Sequence, residues 1–244
     1  MPNDFFRFMR FTVHQDRTPM KVGTDGVLLG AWCGVEGVSR ALDVGTGTGL
    51  IALMIAQRCG AMIDAIEIEN DAYEQARENI SVSPWSERII AHRSSFQEFA
   101  LIANAPYDLI VSNPPYFMKS MLPGSKGRTL ARHSDSLPLE ELFPRAAEIL
   151  SPEGRIAIII PYDSAGHAIE TAGQSGLRLS RRRDVRPLPD RDFFRSLIEF
   201  STAPGQYIDE KPLIIGCDYR GDYTADYRDL TDEFYLFGRN PENQ

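Results

Sequence analysis

Apolar residues along this chain follow two alternating rhythms. Short runs rich in Ile, Val, Leu and Ala have the length of strands buried on both faces. They are Ser39-Arg-Ala-Leu-Asp-Val44, Met62-Ile-Asp-Ala-Ile-Glu-Ile68, residues 88–92, Tyr107-Asp-Leu-Ile-Val-Ser112 and Arg155-Ile-Ala-Ile-Ile-Ile160. Between them the spacing lengthens to that of helices, over 49–58, 70–81, 139–150 and near 164–174. The 70–81 segment opens on acidic residues, which suits the positive end of a helix dipole. A further short helix is expected at 24–32 and another within 223–237. Runs 177–186 and 193–201 read as strands joined by Pro187-Leu-Pro, and 213–217 as a last strand. Residues 1–20 have no clear period. Residues 117–137 have none either and are expected to be a long, mobile loop, a length usually tied to function or disorder. Alternating strand and helix predicts one mainly parallel, doubly wound α/β sheet, with the late strand pair as an antiparallel element at one edge.

Composition narrows the class. The 244 residues allow one large α/β domain with modest additions. With 43% hydrophobic and 25% charged residues the chain is globular in type. No apolar run approaches the ~18–20 residues of a membrane span, so no membrane partner is expected. The first residues show no basic stretch followed by an apolar one, so no signal peptide is expected. Cys33, Cys59 and Cys217 are odd in number and scattered. His14, His92, His133 and His167 are equally dispersed. No metal site follows from that spacing, and a reducing, cytoplasmic setting fits it.

The net charge of −8 argues against a protein that coats nucleic acid, but the charge is unevenly spread. Arg178, Arg181, Arg182, Arg183, Arg186, Arg191 and Arg195 fall in one stretch, and Lys119, Lys126, Arg128 and Arg132 in another. Either group could grip phosphates. The alternative for the first is a strand with a basic solvent face, since Arg181, Arg182 and Arg183 cannot all point one way. His133 reads as a solvated loop residue.

Chemistry enters at Asp43-Val-Gly45-Thr-Gly47-Thr-Gly49, between a predicted strand and a predicted helix. Glycines there permit positive φ and close approach of a ligand to the backbone. Leu50 stands where a dinucleotide fingerprint needs its third glycine, and the Gly-Lys-Ser/Thr of a phosphate loop is missing. Glu67 ends the second strand, about twenty residues on, where an acid binds ribose hydroxyls. Asp43 is positioned to meet an ammonium group. A nucleoside carrying an amino acid satisfies both, and S-adenosylmethionine is such a molecule.

The fourth strand runs into Asn113-Pro-Pro-Tyr116. Each proline fixes its own φ, and Pro115 pushes Pro114 out of the helical region. The product is a rigid pair of acceptors, the Asn113 amide and the Pro114 carbonyl, beside the Tyr116 ring. It suits a planar group bearing –NH2: adenine, cytosine or a side-chain amide.

In this order the motifs resemble the class I S-adenosylmethionine-dependent methyltransferases that modify exocyclic amino groups, over about Lys21 to Ser201. Residues 20–32, Asn79-Ile-Ser-Val-Ser-Pro-Trp85 and Phe234-Tyr-Leu-Phe237 are similar to the bacterial tRNA1(Val) (adenine-N6)-methyltransferases in particular. The resemblance implies a Rossmann-like seven-stranded, mostly parallel sheet with one antiparallel edge hairpin and helices on both faces. It implies an N-terminal segment (1–38) packing on the cofactor site, a methyltransferase domain (39–201) and a C-terminal part (202–244) completing it. Asn113 and the Pro114 carbonyl would accept from the target –NH2, and Tyr116 would stack on it. Lys21, Thr24 and Asp25 join Asp43, Gly45, Gly47, Gly49, Glu67 and Asn113 as expected cofactor contacts. Relatives usually place an acid after the third strand; this chain has Ser95, a weaker acceptor for the cofactor adenine, and Phe96, able to pack on its ring. Lys119, Lys126, Arg128, Arg132, Arg181, Arg182, Arg183 and Arg186 are the expected RNA contacts, with a valine tRNA as substrate and a monomer as the working form.

Other readings share parts of this pattern. A release-factor-type glutamine N5-methyltransferase uses the same acceptor chemistry, but such enzymes carry a helical domain where only 38 residues precede Ser39. A methyltransferase acting on amino groups of ribosomal RNA adenine or guanine fits the motifs too. A noncatalytic RNA-binding protein has no need of the acceptor pair, and a DNA methyltransferase needs a recognition segment not evident here.

Overall fold

The computed structural model describes residues 3–18, 20–114, 137–218 and 222–237. In chain order its elements are β1 (Phe5–Arg7), β2 (Thr12–His14), α1 (Thr24–Trp32), β3 (Arg40–Val44), α2 (Leu50–Arg58), β4 (Met62–Glu67), α3 (Asn70–Ser81) and β5 (Ile89–Arg93). They continue with α4 (Phe96–Ile102), β6 (Tyr107–Ser112), α5 (Leu139–Ile149), β7 (Leu150–Pro161), α6 (Ala165–Gln174), β8 (Arg178–Arg186), β9 (Arg195–Ser201), β10 (Ile208–Asp209), β11 (Leu213–Ile214) and α7 (Ala225–Thr231).

The main sheet has the order β10-β8-β9-β7-β6-β3-β4-β5, with β11 also on β8. Strands β3 to β7 run parallel, and β9 is antiparallel to both β7 and β8. The expected seven strands are therefore present, with the hairpin at one side, and two-residue strands β10 and β11 extend it in parallel with β8. Strand residues alternate between two apolar cores. Ile156, Ile158 and Ile160 of β7 face the core shared with α4, α5 and α6. Ala157 and Ile159 face the core shared with α1, α2, α3 and α7. Burial on both faces is why these strands read as nearly continuous apolar runs.

Helix α1 owes its position to two glycines four residues apart. A Cβ on Gly30 would lie 2.7 Å from Met54 Sδ, and one on Gly26 would lie 3.0 Å from Leu50 Cδ2. Their bare faces let α1 and α2 approach closely, and Val27 to Leu29 of α1 are wholly buried.

The first residues form a hairpin, β1 pairing with β2 in the register Phe6↔Val13. Two three-residue strands are too short to show a period, so sequence pattern gave no sign of them. Side chains from α3 hold the hairpin. Asn79, fully buried, accepts from His14 N–H at 2.9 Å and donates to the carbonyls of His14 (2.8 Å) and Thr48 (2.9 Å). The Gln75 side chain accepts from Arg17 N–H at 3.1 Å. Phe8 stacks on Phe11 at 4.7 Å and on Tyr235 at 5.9 Å, joining the two ends of the described chain. Residues 117–136, expected as a loop, lie outside the described residues.

Gly30→Val should lower stability by about 1–3 kcal/mol through overpacking against Met54. The gain in helix propensity over glycine, under ~1 kcal/mol, does not offset that. Urea unfolding measures the difference, and a midpoint at or above the unsubstituted protein's would refute a tight contact between α1 and α2.

Candidate cofactor and target site

The chain leaves β3 and reaches α2 through Gly45, Gly47 and Gly49, with φ of 73°, 57° and 83°. Side chains are strained at such angles. A Cβ on Gly45 or Gly47 would project into open space, and both residues border a cavity of about 560 Å³. A Cβ on Gly49 would face the protein instead, 3.6 Å from Ala76 of α3.

Three side chains fix this turn. Asp43 is fully buried. Its Oδ2 accepts from Thr46 Oγ1 at 2.5 Å and from Ala52 N–H at 3.1 Å, while Oδ1 has no hydrogen-bond partner among the described residues. Burial pushes its carboxyl up to about 7 against the two hydrogen bonds it accepts, with the Glu67 charge adding to the rise. Glu67, at the end of β4, accepts from Gly47 N–H at 2.9 Å and from the N–H groups of Ile68 and Glu69 at 2.9 and 3.0 Å. A carboxylate has about four acceptor sites, so three backbone donors hold it rigid and leave capacity for a ligand hydroxyl. Asn79 ties the Thr48 carbonyl to α3 and the hairpin.

The cavity lies at the carboxyl ends of β3, β4 and β6, where open α/β sheets bind ligands. Its wall includes Val44, Ile66, Glu67, Asn70, Ser95 and Phe96. Asn113 and Pro114 border the same space, continuing β6 beyond Ser112, whose hydroxyl donates to the Val44 carbonyl at 3.0 Å. The glycine turn and the first half of the Asn-Pro-Pro-Tyr motif thus share one chamber. Pro115 and Tyr116 lie outside the described residues, as do Lys119, Lys126, Arg128, Arg132 and His133.

Other sequence-derived residues take different places. Asp43 stands behind the turn and does not border the cavity. Lys21, Thr24 and Asp25 do not border it either; Thr18 and Met20, which the sequence did not single out, do. The Lys21 ammonium donates to the Gln15 carbonyl, and Asp25 pairs with Arg195 at 2.8 Å. Ser95 borders the cavity, but its hydroxyl caps α4. It accepts from Glu98 N–H at 3.2 Å and donates to Glu98 Oε2 at 2.8 Å, while Glu98 reaches back to Ser95 N–H at 3.4 Å. Helix α4 itself was not expected, although Ser95-Phe-Gln-Glu98 carries the capping-box signature.

The arginine run is mostly engaged within the fold. Arg181 lies 3.9 Å over the Trp32 ring, donates to the Trp32 carbonyl at 2.7 Å, and faces Glu199 and Glu210 at 3.5 Å. Arg183 pairs with Asp226 and donates to the Lys211 carbonyl at 3.1 Å. Arg182, on the opposite face of β8, pairs with Asp184 at 2.8 Å. Arg186 lies 4.0 Å over the Phe193 ring.

Residues 33–169 match the methyltransferase small domain family. A tRNA1(Val) (adenine(37)-N6)-methyltransferase of Parabacteroides distasonis is 45% identical over 97% of this chain and 99% of its own length. The enzyme of the same name from Trichodesmium erythraeum is 44% identical over 97% and 99%. The chain belongs to this methyltransferase family. Within the family's matched segment lie the glycine turn, Glu67, and the Asn113–Pro114 step. In fold it is also similar to a predicted O-methyltransferase of Agrobacterium tumefaciens, with a TM-score of 0.67 at 20% identity over 86% of this chain and 96% of that one.

Because the folded Asp43 carboxyl titrates near 7 and an unfolded aspartate near 3.9, the folded state binds the proton more tightly. Stability should therefore fall as pH rises from about 4 to about 7. Asp43→Asn should flatten that part of the melting-temperature profile, measured without cofactor. An unchanged slope would mean that Asp43 does not titrate in this window.

Proposed function

We propose that this chain transfers a methyl group from S-adenosylmethionine to N6 of an adenine in RNA, and that the substrate is adenine 37 of tRNA1(Val). The observation that carries the reading is the shared chamber of Gly45, Gly47, Glu67, Asn113 and Pro114. Its volume falls in the roughly 300–1,000 Å³ range of small-molecule sites. Gly45 and Gly47 leave open the space that side chains would fill, and Glu67 keeps acceptor capacity for ribose hydroxyls. The chain therefore fits the cofactor. Bound there, S-adenosylmethionine supplies an electrophilic methyl group on a sulfonium.

The remaining chemistry belongs to positioning. An adenine amino nitrogen is a weak nucleophile because its lone pair is delocalised into the ring. Asn113 and the Pro114 carbonyl accept its two hydrogens and favour a pyramidal nitrogen, freeing the lone pair. Holding the group in one orientation provides most of the help an in-line displacement needs. The nitrogen becomes acidic only as the new bond forms, so no residue is assigned as a strong base. The substrate is read from the relatives' activity and from the acceptor pair, which suits a planar –NH2. A cytoplasmic monomer acting on the valine isoacceptor is part of the same reading.

Transfer of labelled methyl to tRNA lacking the modification, followed by nucleoside analysis, tests it. Label in N6-methyladenosine confined to the valine tRNA is expected. Label only in ribosomal RNA or in release-factor glutamine would replace the substrate claim. Asn113→Ala should cut transfer by at least a hundredfold while leaving cofactor affinity within about threefold. Equal loss of both would make Asn113 a structural residue.

A further inference from the structure

Strand β7 outruns β6 at the carboxyl edge of the sheet, and the residue just past it is aromatic. Ser112 pairs with Ile158, so by the same register Pro114 comes level with Ile160, and Tyr162 opens a short 3-10 turn (Tyr162–Ser164) directly after the neighbouring strand ends at Pro161. Pro161 of β7 and Val185 of β8 both pair with Arg195 of β9. Tyr162 and Arg186 each follow by one residue, so they emerge at the same height on either side of β9.

Their side chains meet through a third. The Tyr162 ring lies 5.0 Å from the Phe193 ring at an interplanar angle of 28°, and the Arg186 guanidinium sits 4.0 Å over Phe193. Arg182 approaches the Tyr162 ring at 5.6 Å. All four side chains are half-buried. Among the described residues Arg186 pairs with no carboxylate, unlike Arg181, Arg182, Arg183 and Arg195. Arg181 faces Glu199 and Glu210, Arg182 pairs with Asp184, Arg183 with Asp226 and Arg195 with Asp25. Among the described residues no ion pair joins Arg186 to an acid, and its Nε is buried without a hydrogen-bond partner. A cation kept flat on an aromatic ring and left without a counter-charge retains its attraction for an external anion.

We propose that Arg186, presented on the Phe193–Tyr162 stack, contacts the RNA strand and takes a phosphate of a nucleotide flanking the target adenine. The proposal rests on the methyl-transfer reading above. Three strand spacings of ~4.8 Å separate β8 from β6, so Arg186 stands about 14 Å across the sheet edge from the Asn113–Pro114 step. That is a few nucleotides' reach from a base inserted in the chamber. Stacking on Phe193 fixes the guanidinium plane beforehand, so little side-chain freedom is lost on binding.

The test compares Arg186→Ala, Arg186→Lys and Phe193→Leu with the unsubstituted protein, using the unmodified valine tRNA. Arg186→Ala should raise KM for tRNA about tenfold while KM for S-adenosylmethionine, kcat at saturating tRNA and melting temperature stay unchanged. The salt dependence of tRNA binding should lose about 0.7 from its log–log slope, the share of one phosphate on a single strand. Arg186→Lys should restore the slope, and Phe193→Leu should raise KM with the slope intact. Unchanged tRNA KM and slope in Arg186→Ala would overturn the proposal and leave the methyl-transfer reading standing. A parallel fall in cofactor affinity or melting temperature would assign Arg186 a structural role and overturn it equally. If the unsubstituted protein makes no N6-methyladenosine in any RNA, the functional reading fails and this contact fails with it.

Discussion

The backbone between Val44 and Leu50 holds positive φ at three alternate residues, and two of them, Gly45 and Gly47, border the cavity. Hydrogen bonds from several directions keep it there. The N–H groups of Gly45 and Thr46 both donate to the Ile66 carbonyl at 3.0 Å, and the next donor, Gly47, goes to Glu67. Asp43 grips Thr46 and the first turn of α2 from beneath. Asn79 holds Thr48 from α3 and, with the same amide, holds both backbone groups of His14. The N-terminal hairpin is thereby fastened to the glycine turn through one buried side chain. Losing Asn79 would strand several backbone groups at once, a larger penalty than the loss of one surface hydrogen bond.

The sheet order decides what meets that turn. Strand β6 pairs with β3, so the end of β6 lies beside the glycines although more than sixty residues separate them in sequence. Ser112 makes the junction explicit by donating to Val44. Antiparallel β9 then returns the chain between β7 and β8, which brings Phe193 and Arg186 to the carboxyl edge together. On the proposed reading, cofactor, target base and flanking strand are held by the ends of successive strands, and catalysis comes from their relative placement rather than from a titrating group.

Much of this was legible in the residues. The apolar runs at 39–44, 62–68 and 107–112 predicted their strands to within two residues, because burial on both faces leaves an almost unbroken apolar pattern. The chamber's glycines, Glu67 and Asn113 were legible because each chemical need constrains residue type and spacing together. What the pattern hid was short or relational. Three-residue strands such as β1 and β2 cannot display alternation, and α4 covers fewer than two full turns before Ala103, though its capping box stood in plain view. In sequence Asp43 reads as facing a ligand ammonium group. Only the fold shows that its carboxylate is enclosed, bound to Thr46 and Ala52.

The arginines carry the same lesson about charge. Seven arginines within eighteen residues look like a phosphate-binding face, yet β8 sends Arg181 and Arg183 one way and Arg182 the other. Acids from distant segments then engage three of the seven: Glu199 from β9 and Glu210 after β10 face Arg181, Asp226 from α7 pairs with Arg183, and Asp25 from α1 with Arg195. The arginine of each pair is largely buried, so removing its acid would leave a poorly solvated charge behind; they serve the fold first. A net charge of −8 and a cluster of cations are therefore both poor guides to where an anionic chain would bind. On the proposed reading, the better guide is a cation that pairs with no acid among the described residues and stands at the carboxyl edge of the sheet. On this sheet that description singles out Arg186, whose position on Phe193 depends on β9 running back between two parallel strands.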